Sequence, residues 1–177
     1  MQPLLKCTSN NLPTLTRKLH PVPKSISKPN HIMIPEVKKW IDAGKTVTFR
    51  VHGFSMRPFL DNGRDEVILD APNREELKRG DVVLAEIAPQ VYVLHRLIHR
   101  DGDSLTLKGD GNAYGTESCQ VKDVIGIAIG FLRKGRTTPD LVTSKKWRMY
   151  SALWMRLDPI RRWLLAIYRR TFLKLGI

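Results

Sequence analysis

A chain of 177 residues that is 42% hydrophobic is long enough for one domain with a buried core, which excludes wholesale disorder. The net charge of +13 sits in the flanks: residues 1–31 hold five Lys/Arg and no acid, and residues 144–177 hold nine and one. The 16 basic and 16 acidic residues of 32–143 cancel, so the charge argues against a basic groove in the body and for flanks that meet an acidic partner such as phospholipid or nucleic acid. Two cysteines, Cys7 and Cys119, cannot form a disulfide framework and read as free thiols of a reducing compartment.

In chain order, residues 1–31 are rich in Pro, Ser, Thr, Asn and Lys and predict a disordered basic extension. Ile34, Val37, Lys38 and Ile41 then recur at helical spacing, with Gly44 placed as a C-cap, which predicts a short helix from Ile34 to Ala43. From Thr46 the period changes to two. Thr46–Val51, Glu66–Leu69, Val82–Ile87, Val91–Ile98, Ser104–Lys108 and Val124–Ile129 read as short strands between Asn/Asp/Gly turns. Six such strands predict a mainly β fold, a coiled antiparallel sheet, over residues 32–143.

Residues 144–177 change character again. Ser144 is a helix N-cap, and Trp147, Tyr150, Leu153, Trp154 and Leu157 form one stripe. Asp158-Pro159 supplies a cap and first-turn proline for a second helix, with Ile160, Leu164, Ile167, Tyr168 and Phe172 on one side. Arg162, Arg169, Arg170 and Lys174 lie broadly opposite, and Arg161 breaks the pattern. Two basic amphipathic helices carrying Trp and Tyr suit a membrane surface; packing on the β domain or on a second copy is the alternative. The longest apolar run, Trp163 to Tyr168, is far short of the roughly 20 residues of a spanning helix. No apolar stretch succeeds Lys6, which argues against a secretory signal. The expected location is therefore the cytoplasm, peripheral on the inner face of the membrane.

Chemistry enters at Gly53-Phe54-Ser55-Met56-Arg57-Pro58, directly after a strand. A nucleophilic serine needs an exposed hydroxyl on a fixed backbone; Gly53 permits a sharp turn and Pro58 stiffens the chain beyond it. Val91 to Ile98 then places His95 in an apolar strand on the face of Val93 and Leu97. A buried imidazole there needs a partner, and neutral histidine takes a serine proton readily. Gly109-Asp110-Gly111-Asn112 ends a strand in a tight turn, and Asp110 either orients the imidazole or holds the loop around it. His52 and His99 are weaker candidates for the base.

In order, Gly-x-Ser-Met-x-Pro, Gly80-Asp81-Val82-Val83, His95-Arg96, Lys108-Gly109-Asp110-Gly111-Asn112 and Ile125-Gly126 resemble the signal peptidase I and LexA clan. The pattern is most similar to the endoplasmic-reticulum and archaeal branch, which uses His as base. The resemblance covers Thr46 to Phe131 and implies a coiled β fold and endopeptidase chemistry on a protein or peptide substrate. It implies Ser55 as nucleophile, His95 as general base and Asp110 as the acid, with Gly53, Met56 and Pro58 shaping the turn. It implies no cofactor and no metal. Where the branch often has a second acid this chain has Thr116, with Glu117 beside it, so which carboxylate faces His95 stays open. Gly53 offers no hydroxyl to an oxyanion hole, leaving the Ser55 N–H and a second donor unnamed.

Three other functions compete with an endopeptidase. A LexA-like regulator would cleave itself, and Ala43-Gly44 resembles such a cleavage site, but residues 1–31 cannot form a helix-turn-helix. A non-catalytic module would use the basic tail on nucleic acid, a partner the neutral body argues against. Metal binding through His52, His95 and His99 lacks paired ligand spacing.

Overall fold

The computed structural model describes residues 30–171. Helix α1 (Asn30–Asp42) comes first. Strands β1 (Val47–Arg50), β2 (Glu66–Asp70), β3 (Val82–Ala88), β4 (Val91–Asp101), β5 (Ser104–Lys108), β6 (Glu117–Gln120), β7 (Val124–Leu132) and β8 (Asp140–Leu141) come next. Helices α2 (Lys145–Arg156) and α3 (Arg161–Thr171) end the described chain, joined by a 3-10 turn at Asp158–Ile160. All strand pairs are antiparallel, in the order β1-β2-β7-β3-β4-β5-β6, with β8 on β7. Mainly antiparallel β, with one helix before the sheet and two after, is the expected fold class.

Alternation along the strands buries both faces of the sheet. On one face Val67, Leu69, Val82, Leu84, Ile125 and Phe131 meet Ile34, Val37 and Ile41 of α1 and Trp147 of α2. On the other, Val83, Ala85, Leu97, Leu105, Leu107 and Val124 pack together because β5 and β6 curl over β3. Irregular register in β2, β3 and β4 supports that curl.

Several local expectations are refined. Helix α1 begins four residues before Ile34 and runs through Pro35, so the boundary at residue 31 falls inside a helix; the rest of the predicted extension, with Cys7, lies outside the described residues. Gly44 N–H donates to the Ile41 carbonyl and Lys45 N–H to that of Trp40, the paired bonds of a Schellman cap. Ser144 caps α2 as expected, its Oγ accepting from Trp147 N–H at 3.2 Å. Asp158 differs: its carboxylate caps no helix and instead pairs with Lys108 Nζ at 2.8 Å and Arg161 at 3.2 Å.

The last segment departs most from a detached tail. Trp147 is buried in an aromatic cluster, 4.3 Å from Phe59 and 4.7 Å from Phe131 between ring centres. Arg161, the pattern-breaker, is 1% exposed and lies against the Trp154 ring. Residue 144 is therefore not a packing boundary, because α2 completes the core. Phe172 and Lys174 lie outside the described residues.

Candidate active site

Ser55 sits on a loop, residues 51–65, that its own hydrogen bonds close. Val51 N–H donates to the Asp65 carbonyl, Gly63 N–H to that of Val51, and Gly53 N–H to Asn62 Oδ1, all between 2.8 and 2.9 Å. Gly53 has φ +100°, a conformation that L side chains rarely adopt, which is the local reason for glycine there. Met56, Phe59 and Leu60 anchor the turn in the core, and the Arg57–Pro58 peptide is cis. Asp65, wholly buried, accepts from Arg64 and from Asp61 N–H. Burial alone would raise its pKa, but those bonds outweigh it and hold the carboxyl below the usual range.

Ser55 itself is half-buried, and its carbonyl accepts from Gly111 N–H at 2.7 Å. That bond joins the serine turn to the Gly109–Asn112 loop. The approach is close: a Cβ on Gly109 would lie 2.4 Å from the Ser55 carbonyl oxygen and 3.1 Å from His95 Nε2. One glycine therefore separates the Ser55 backbone from the free nitrogen of the imidazole. Neither the Ser55 hydroxyl nor its backbone N–H is hydrogen-bonded among the described residues, which leaves both available to a substrate.

His95, 4% exposed, lies in β4 opposite Val83. Its Nδ1 donates to Glu117 Oε2 at 2.9 Å, which fixes the ring and leaves Nε2 as the lone-pair nitrogen. Burial pushes the His95 pKa below its ordinary value, outweighing the neighbouring Glu117 carboxylate that pulls the other way. The imidazole is thus held neutral, the form a general base requires.

The roles offered for Asp110 separate here. Its carboxylate takes a bidentate pair from the Arg96 guanidinium, at 2.9 and 2.6 Å, with both side chains wholly buried. Arg96 also donates to the Gly80 carbonyl and to Ser151 Oγ on α2, at 2.9 and 2.6 Å. Asp110 therefore holds the loop, and the acid on His95 is Glu117. Of the two roles open for Asp110 and the two carboxylates open for His95, the contacts are those of a loop-holding Asp110 and an imidazole-facing Glu117. This division arises from adjacency in β4, where His95 and Arg96 point to opposite faces and so meet different carboxylates. Glu117 was reachable from sequence only as a neighbour of Thr116, because the strand that carries it has one apolar residue.

A cleft of about 110 Å³ opens over Ser55 and His95, lined also by Met33, Phe49, Tyr92 and Leu94. Among the described residues, strand β1 pairs only with β2, and β4 pairs with β5 only from Arg96 onward. The free edges of β1 and of Val91–His95 both border the cleft, so an extended chain laid there would find unpaired backbone groups on two sides. His52 and His99 are exposed, and no group of three His, Cys, Asp or Glu among the described residues could hold a metal. Cys119 is buried, its thiol pushed up to about 11 chiefly by desolvation.

A coiled antiparallel sheet that brings a serine turn and a buried, carboxylate-paired histidine to one cleft is a peptidase-type domain of the LexA and signal-peptidase kind. A family model described as Peptidase S24-like matches residues 22–129, and the chain belongs to that family. None of the curated proteins matches the chain. Helices α2 and α3 lie beyond the matched span.

Proposed function

We propose that the protein is a serine endopeptidase of the Ser–His type, closest in its motif pattern to the endoplasmic-reticulum and archaeal signal peptidases. The observation that carries this reading is His95: its Nδ1 is tied to Glu117 while its Nε2 faces the Ser55 turn across Gly109. An extended substrate pairs with the free edges of β1 and β4, and Ser55 Oγ attacks its carbonyl carbon. His95 Nε2 takes the hydroxyl proton and returns it to the leaving amine as the acyl-enzyme forms; water then repeats the sequence in reverse. The Ser55 N–H serves the developing oxyanion. Glu117 stabilises the imidazolium, and Arg96–Asp110 keeps the Gly109–Gly111 loop against the serine.

Labelling by a fluorophosphonate probe tests this, since it needs no known substrate. Ser55→Ala and His95→Ala should each abolish labelling while leaving the thermal melt intact; full labelling in either folded variant would rule the dyad out.

One observation favours self-cleavage as a second reading: Met33 and Ile34 line the cleft, so the opening turns of α1 stand beside Ser55. Ala43-Gly44 by contrast is tied into the cap of α1. First-order cleavage with a rate independent of protein concentration would select self-cleavage over action on other chains.

A further inference from the structure

Helices α2 and α3 each turn one face to the body and another outward. Trp147, Ser151 and Trp154 of α2 and Arg161 and Leu165 of α3 are buried. Outward stand Met149 (73% exposed), Leu153 (59%), Ile160 (47%), Trp163 (61%) and Ile167 (59%). Met149 and Leu153 lie one helical turn apart, as do Trp163 and Ile167, so each helix shows an apolar strip away from its packed face. Five large apolar side chains left in water within one helical hairpin mark a surface built for contact.

The charge around them says what kind. Lys145, Arg148, Arg156 and Arg170 are exposed and form no ion pair among the described residues. The single acid of the hairpin, Asp158, is already taken by Lys108 and Arg161. A second copy docking through the same strip would bring these cations against their own equivalents. Nucleic acid would use the cations but has no place for Met149, Leu153, Ile160 and Ile167. Acyl chains take the apolar strip while anionic headgroups take the Arg and Lys, and Trp suits the boundary between them. We propose that α2 and α3 form a docking surface for an anionic phospholipid membrane, lying in the interface plane. No helix among the described residues is long and apolar enough to cross one.

The inward faces of the same helices reach the catalytic loops. Ser151 holds Arg96, while Leu165, Tyr168 and Arg169 line a 220 Å³ pocket with Phe54, Arg57 and Gly111 beside the serine turn. A membrane that holds the hairpin therefore also sets the orientation of the cleft.

The test is co-sedimentation of the full chain with vesicles of phosphatidylcholine alone, or of phosphatidylcholine mixed equally with phosphatidylglycerol. Binding should need the anionic lipid and weaken with salt. Trp163→Asp with Ile167→Asp, and separately Arg156→Glu with Arg170→Glu, should each lower vesicle affinity about tenfold or more while the thermal melt is kept. No binding of the unmodified chain, or undiminished binding in the Trp163/Ile167 variant, overturns the proposal. So does a dimer in solution that the same apolar substitutions dissociate, or binding to DNA without binding to vesicles.

Discussion

At the residue scale, two carboxylate contacts that stand side by side on β4 do different work, and substitution separates them. Glu117→Gln keeps a hydrogen-bonding side chain on β6 but removes the charge that stabilises a protonated His95. It should lower kcat about 10²–10⁴-fold with little change in KM or stability. The carboxylate raises the His95 pKa, so its loss should move the acid limb of kcat/KM to still lower pH. Asp110→Asn instead leaves the wholly buried Arg96 charge without its partner, at about 3–5 kcal/mol of stability. A denaturant titration should register the second and a pH–rate profile the first; the reverse pattern would reassign the two acids. Ser55 and His95 were legible in sequence because the residues around them alternate or turn recognisably. Glu117 was not, because Glu-Ser-Cys-Gln has no apolar alternation and forms a strand only by pairing with β5.

His95 also links function to stability. Its pKa is lowered in the folded protein, so above the ordinary histidine value neither state holds the proton and the group is neutral to folding. As pH falls through that ordinary value, about 6.5, the unfolded chain binds a proton that the folded chain resists, and stability is lost. Peptidase activity should nonetheless persist below that pH until the depressed folded value is reached. Parallel pH profiles of activity and melting temperature would show stability falling first; loss of activity first would contradict a buried neutral base.

At the scale of elements, the loop after β5 is what holds the Ser55 turn in place. Its turn chemistry was plain in Gly-Asp-Gly-Asn, but its purpose depends on a contact across more than fifty residues that no local pattern encodes. Gly109 is needed there for space, since its φ is ordinary and a Cβ would meet the Ser55 carbonyl. Gly109→Ala should push the loop and serine turn apart and cost about 10²-fold in kcat/KM, the penalty of an ångström-scale misplacement. A folded alanine variant with unchanged fluorophosphonate labelling would show that the loop is free to adjust.

At the scale of the whole molecule, the family match and the folded unit end in different places. The matched span stops at residue 129, yet the core does not close until Trp147 lies over Phe59 and Phe131 and Ser151 reaches Arg96. Charge and periodicity both change at residue 144, which in sequence looks like a boundary. The structure keeps the chain whole because α2 is amphipathic in a second sense: its aromatic residues face the sheet, while Met149 and Leu153 face outward. Periodicity marks an apolar stripe but not which neighbour covers it. Truncation after Thr143 should therefore not yield a trimmed peptidase. Loss of Trp147 alone is worth about 3–5 kcal/mol, the uncovered Arg96–Asp110 pair adds to it, and a domain of this size holds only about 5–15 kcal/mol in total. Urea unfolding monitored by circular dichroism should show a steep transition for the intact chain and none for the truncated one. A cooperative transition surviving truncation would mean that the helices serve the membrane surface alone, whereas its loss makes one hairpin responsible for both the site's rigidity and its placement.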